Sequence, residues 1–161
     1  MAPTLQVVTA SPSETRAVGA ALAPLLAPRD LVSLGGDLGA GKTTFVQGAA
    51  AGLGVAEPVT SPAFVLVREY RGAIPVVHVD VYRLNRMQEV LDLGFEEYLD
   101  SGAVMFVEWG DVIEALFPQT FLAIEFTTLA GDERRLSFHP GGPAWAGRWE
   151  RLEQALDGWA A

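Results

Sequence analysis

The 161-residue chain contains no cysteine, which excludes disulfide scaffolds, zinc ribbons, iron–sulfur clusters and thiol nucleophiles. Its two histidines, His78 and His139, are too few for a metal centre built on imidazole. Positive charge is also short. Twenty acidic against eleven basic residues leave a net charge of −9, the opposite of the balance carried by chains that meet phosphate backbones directly, so the isolated protein is not expected to bind nucleic acid with high affinity. Long apolar runs are missing too. The longest, Ala17 to Pro28, is interrupted by Pro24 and too short to cross a bilayer, and the start Met1–Gln6 has no basic n-region. A cytoplasmic protein without membrane attachment is expected. The last scarcity is lysine: ten of the eleven basic residues are arginine, and Lys42 stands alone. A position that keeps lysine in such a chain calls for a compact ammonium, which a planar guanidinium does not replace.

What is present is half apolar and 19% charged, enough to fill a core, and the length fits a single domain over residues 1–161. Leu5 to Thr9 is a short β-prone run, and Ser11-Pro12-Ser13-Glu14 marks the start of a helix that runs to about Ala23. Asp30 to Gly35 is a compact apolar strand feeding into a glycine-rich loop. A helix over Lys42 to Leu53 follows, ended by Gly54. After a loop from Val55 to Pro62 come the β-prone runs Phe64 to Tyr70 and Ile74 to Tyr82. A helical segment at Arg86 to Leu93 and the acidic piece Phe95 to Asp100 lead to the strand Val104 to Trp109. Asp111 to Leu116 reads as a short helix, Phe121 to Thr128 and Arg134 to His139 as the last strands, and Trp145 to Trp159 as a closing amphipathic helix. This alternation predicts an α/β fold, a P-loop NTPase-like three-layer sandwich with a mainly parallel central sheet and an antiparallel ribbon at one edge.

Gly36-Asp37-Leu38-Gly39-Ala40-Gly41-Lys42-Thr43 matches G-x-x-x-x-G-K-[ST] in full, with an apolar strand before it and a helical pattern after it. In such a loop glycines let backbone N–H groups turn onto phosphates, the lysine reaches the β and γ phosphates, and the threonine hydroxyl binds Mg²⁺. The helix beginning at Lys42 adds its N-terminal dipole. A nucleoside triphosphate site is the expectation. Two apolar runs each end in an acid, Val76 to Asp80 and Val104 to Glu108, and strand ends are where ligands sit in open α/β sheets. One acid is expected to hold magnesium and the other to orient or deprotonate the attacking water, a choice that spacing leaves open.

Other candidates are less specific. Thr60 and Ser61, before Pro62, lie where P-loop proteins often place a segment that senses the γ phosphate, though the same residues make an ordinary turn. His78, inside an apolar strand, reads as a core histidine with both nitrogens satisfied. Trp109 reads as core filling rather than a cover for the site. Arg83 fits either a phosphate contact or a surface ion pair, and Arg134 and Arg135 either a nucleotide base or solvent. The guanine-reading N-K-x-D is absent, since the only asparagine, Asn85, is followed by Arg86; ATP is therefore favoured.

Taken together, the Gly36–Phe45 block, Ser61-Pro62-Ala63-Phe64, His78-Val79-Asp80-Val81-Tyr82-Arg83-Leu84 and Val107-Glu108-Trp109 resemble the TsaE family of bacterial ATPases, in order and spacing, from about Ser13 to Phe138. The resemblance implies an ATP-binding and hydrolysing subunit of tRNA threonylcarbamoyladenosine synthesis that acts on the TsaD–TsaB pair and does not itself perform the transfer. It implies that Thr43 and Glu108 hold Mg²⁺, that Lys42, Asp80 and Glu108 carry the catalysis, and that Thr44 completes the ATP-binding loop. It further implies an adenine-side contact near Glu14 and Thr15, and an arginine contact from Arg134 or Arg135. One position departs from the pattern. The family reads S-P-T-[FY], and Ala63 replaces its threonine, so any role of that hydroxyl falls to Thr60 or Ser61. Two other readings stay open: a P-loop small-molecule kinase, for which the arginine-rich lid between the acids is missing, and an adaptor that senses nucleotide without needing hydrolysis.

Overall fold

The computed structural model describes residues 3–37, 39–62, 67–81, 94–109, 117 and 120–161. Within these, seven strands form one sheet, β1 (Leu5–Thr9), β2 (Leu31–Gly36), β3 (Val67–Tyr70), β4 (Val76–Asp80), β5 (Val104–Glu108), β6 (Phe121–Thr128) and β7 (Arg134–Gly141), in the order β1-β7-β6-β2-β5-β4-β3. Four helices accompany it: α1 (Pro12–Leu22), α2 (Lys42–Gly52), α3 (Phe95–Asp100) and α4 (Trp149–Ala155). The expected helices at 86–93 and 111–116 lie outside the described residues. Among those described, no helix is long and apolar enough to cross a membrane.

The α/β expectation holds, but the sheet is less parallel than the sequence suggested. The neighbour pairings within β6, β2, β5 and β4 are parallel, while the pairings on both sides of them are antiparallel, β3 against β4, β7 against β6 and β1 against β7. The reason lies in the connections. Five residues (71–75) link β3 to β4 and five (129–133) link β6 to β7, and links so short can join only antiparallel neighbours. At the β1 edge, Val7 bridges Ala160 and the Ala161 N–H donates to Gln6 O, so the end of the chain covers backbone groups that would otherwise template further pairing.

Side-chain alternation sorts the core into two faces. Val32, Leu34, Val76, Val104, Phe106, Leu122, Ile124, Leu136 and Phe138 pack on one side with α1, α2 and α4, whereas Leu31, Val77, Val79, Met105 and Val107 pack on the other with Leu99 and Phe95 of α3. Helices therefore cover both faces, giving three layers. The C-terminal segment also differs from its reading as one helix: α4 has only seven residues, between turns at 143–148 and a 3-10 turn, Asp157–Trp159. Gly147 and Gly158 flank it and limit its length. Its tryptophans serve the core, with Trp145 and Trp149 buried beside Leu152 and Leu156. Arg148 stacks on Trp145 and makes a bidentate ion pair with Asp30 just before β2, at 2.6 and 3.0 Å.

Helix α2 carries the end of the glycine loop, so its placement sets the position of that loop. Ser11 caps α1 by accepting the Glu14 N–H at 3.2 Å, and α1 then crosses α2 with backbone against backbone. A Cβ at Gly48 would overlap the carbonyl oxygen of Arg16, and one at Gly19 that of Phe45. On the opposite side Phe45 meets Phe126 edge-on, with ring centroids 5.7 Å apart. The start of α2 is thus fixed between α1 and the sheet. Gly48→Val is expected to destabilise the fold by about 3 kcal/mol, because the overlap is with backbone that cannot rotate away. For a chain of this size that lowers Tm by roughly 6–12 °C, read by circular dichroism; an unchanged Tm would show that the helices do not pack this closely.

Candidate active site

Because β2, β5 and β4 are parallel neighbours, their C-terminal ends fall on one edge of the sheet, where open α/β folds bind ligands. β2 ends at Gly36, which pairs with Phe126 at a backbone φ of 121°. A side chain there would be strained and would also overlap the Phe126 carbonyl oxygen, so only glycine lets the chain leave the sheet at this point. Gly39 and Gly41 also have positive φ, and α2 starts directly after Gly41 with no side-chain cap. No side chain at the N-cap accepts from the first-turn N–H groups of α2, an arrangement that suits an anion. Leu38, within this loop, lies outside the described residues.

The Lys42 side chain is 4% exposed and folds over the loop. Its Nζ donates to Gly36 O at 2.5 Å and Asp37 O at 3.3 Å, and sits 3.5 Å from the centroid of the Trp109 ring. Trp109 has a left-handed backbone, φ 65°, which for a residue with a Cβ costs about 1–2 kcal/mol. Its N–H donates to Leu34 O at 2.7 Å and ties that conformation to β2. Reading Trp109 as core filling is thus half the account: the ring packs against the second core cluster and also covers the ammonium.

The register of β4 and β5 pairs Asp80 with Glu108, and alternation puts both acids, with His78, on the face that carries α2. Both acids are buried. Thr43 Oγ1, in the first turn of α2, donates to Glu108 Oε2 at 2.8 Å. His78 is fully buried, and its Nε2 lies 2.5 Å from the same carboxylate oxygen. A carboxylate accepts only, so the imidazole donates. Nδ1 has no hydrogen-bond partner among the described residues. The expectation of a core histidine with both nitrogens satisfied is therefore corrected on two counts, since one nitrogen serves a site acid and the other has no partner among the described residues. Leaving a buried polar atom unpaired costs about 1–3 kcal/mol. The signal is present in the sequence as the i, i+2 spacing of His78 and Asp80, which puts both on one face of a strand.

Thr43 and Glu108 offer a hydroxyl and a carboxylate 2.8 Å apart, hard oxygen donors of the kind Mg²⁺ takes together with phosphate oxygens. Among the described residues no group of three or more His, Cys, Asp or Glu could hold a metal by itself. This donor set therefore fits a cation shared with a nucleotide better than a resident one.

Beside the loop lies an open depression of about 140 Å³ lined by Pro12, Thr15, Gly39, Gly41, Thr44, Asp132 and Arg134. Arg134 Nη1 donates to Gly131 O and Glu133 O, and Nη2 to Gly39 O at 3.4 Å. Alternation along β7 resolves the two arginines: Arg134 shares the face of Leu136 and Phe138, and Arg135 points away. Thr15 is buried, with its hydroxyl 2.7 Å from that of Thr9. Glu14 does not line the depression, whereas Asp132, which no sequence pattern singles out, does. Ala40 is buried behind the loop. Thr60 and Ser61 are exposed, in a segment held to α2 by Gln47 Nε2, which donates to Val59 O, and to β3 by the Tyr70 hydroxyl, which accepts the Thr60 N–H. Ala63 and Arg83 lie outside the described residues.

Comparison with known proteins identifies relatives along nearly the whole chain. The family profile described as threonylcarbamoyl adenosine biosynthesis protein TsaE matches residues 9–136. A Bacillus subtilis protein named tRNA threonylcarbamoyladenosine biosynthesis protein TsaE is 42% identical over 149 residues, 92% of this chain and 90% of its own. A Treponema pallidum protein of the same name is 35% identical over 133 residues, 83% and 98% of the two chains. The crystal structure of Bacillus subtilis YdiB superposes with a TM-score of 0.82 at 37% identity, covering 96% of this chain and 97% of that one. With four-fifths of its length under the family profile and relatives this similar along nearly their whole length, the chain belongs to the TsaE family.

Proposed function

We propose that this chain is a Mg²⁺-dependent ATPase subunit of tRNA threonylcarbamoyladenosine biosynthesis, active on the TsaD–TsaB complex and not itself the transferase. Family membership supports the pathway. The observation that carries the ATPase reading is the meeting of Thr43, at the start of α2, with Glu108, at the end of β5. That contact joins a glycine loop built for phosphates to a strand-end carboxylate.

In this reading the β and γ phosphates lie against the backbone N–H groups of residues 39–43 and the Lys42 ammonium, which exchanges its bonds with Gly36 O and Asp37 O for phosphate oxygens. Thr43 and Glu108 would hold Mg²⁺, which when bound neutralises charge on the phosphates. Asp80, beside Glu108 in the neighbouring strand, orients the attacking water. Thr15, Thr44 and Arg134 face the nucleoside end from the depression next to the loop. In this reading the protein reaches tRNA through its partners, which its net charge of −9 supports. The test is ATP consumption by the purified chain. Stimulation by added TsaD and TsaB is expected, with no phosphorylated product from a metabolite panel; a metabolite that stimulates turnover and is itself phosphorylated would make the protein a kinase instead.

A further inference from the structure

We infer that His78 is a positioning residue for the cation site: its imidazole N–H anchors the Glu108 carboxylate so that Oε2 is presented to Thr43. The inference rests on the reading of Thr43 and Glu108 as the Mg²⁺ pair. Three observations lead to it. Glu108 Oε2 accepts from two donors on different elements, Thr43 Oγ1 at 2.8 Å from α2 and His78 Nε2 at 2.5 Å from β4. His78 is fully buried in β4 between Val76, Val77 and Val79, where its other nitrogen has no partner among the described residues. A valine or leucine would continue the strand pattern without that unpaired atom, so the bond to Glu108 is what the imidazole contributes.

The consequence is mechanical. A glutamate has three side-chain torsions, and a free carboxylate at the edge of a sheet would sample several rotamers. If the Thr43 hydroxyl leaves Oε2 to meet a cation, the His78 bond is the side-chain contact among the described residues that keeps that oxygen in place. Partners of metal ligands characteristically change metal affinity by about tenfold to a hundredfold when removed.

The experiment measures the affinity of the full chain for a fluorescent, non-hydrolysable ATP analogue in EDTA and in saturating Mg²⁺. The ratio of the two affinities equals, by linkage, the factor by which the protein tightens Mg²⁺ on the nucleotide. In His78→Asn, whose amide is too short to reach Glu108, this ratio is expected to fall at least about tenfold, or to the Glu108→Gln level, while affinity in EDTA stays within about threefold of wild type. In His78→Gln, whose amide nitrogen reaches where Nε2 stands, the ratio is expected to recover to within about threefold. Should His78→Asn fail to fold, His78→Leu carries the same expectation. A wild-type ratio in the Asn or Leu variant, or no recovery in Gln, overturns the role of His78. A wild-type ratio in Glu108→Gln overturns instead the reading of Glu108 as a cation ligand, so the two failures are distinguishable.

Discussion

Lys42→Ala is expected to weaken ATP binding at least about a hundredfold, as measured by calorimetry in EDTA. In the proposed function Lys42 exchanges its two carbonyl bonds for two charge-assisted bonds to phosphate, each contributing about 1.5–3 kcal/mol, and 1.4 kcal/mol is a factor of ten in affinity. Lys42→Arg is expected to fail as well, although arginine is the basic residue this chain uses everywhere else. Lys42 is 4% exposed, its ammonium set among Gly36 O, Asp37 O and the Trp109 ring 3.5 Å away, and a planar guanidinium is too wide for that space. Full binding by the arginine variant would show that Lys42 is held less tightly than its contacts indicate.

Glu108→Gln is expected to separate binding from turnover. The amide keeps the volume of the side chain and an oxygen that can accept from Thr43 and His78, so the fold and the affinity for ATP in EDTA should be close to wild type. What disappears is the negative charge at the end of β5. An electrostatic contribution of several kcal/mol to phosphoryl transfer is at stake, so turnover in the presence of TsaD and TsaB is expected to drop at least about a hundredfold. The two variants therefore give opposite patterns, one losing nucleotide and the other retaining it without hydrolysis. Wild-type turnover in Glu108→Gln would mean that this carboxylate takes no part in catalysis.

The parts of this site that can be read from sequence are those fixed by neighbours along the chain. The loop from Gly36 to Thr43 sits between a strand and a helix that its own residues specify, and Asp80 and Glu108 end apolar runs of strand length. What is not legible depends on which strand lies beside which. Glu108 meets both Thr43 and His78 only because β5 lies between β2 and β4 in parallel register, a non-local fact. The reading of His78 as an ordinary core residue comes from its own strand, whereas its role comes from the adjacent one. Trp109 misleads for a similar reason, since the left-handed turn that carries its ring over Lys42 depends on an N–H bond to Leu34 on β2. The edge strands are visible as runs, and short connections set the β3–β4 and β6–β7 pairings, but β1 pairs with β7 across most of the chain, which no local pattern shows. The closing segment reads too long in sequence because its tryptophans fit a helical spacing, although Trp145 reaches the core from a turn.

ATP turnover by this chain is expected to sustain tRNA modification performed by other proteins. The direct measurement supplies TsaD, TsaB, tRNA and threonylcarbamoyl-adenylate, and counts modified adenosines per TsaD with this protein and either ATP or a non-hydrolysable analogue. Modification continuing well beyond one equivalent with ATP, and stopping near one with the analogue or without the protein, is the predicted result. Equal yields under all three conditions would contradict it.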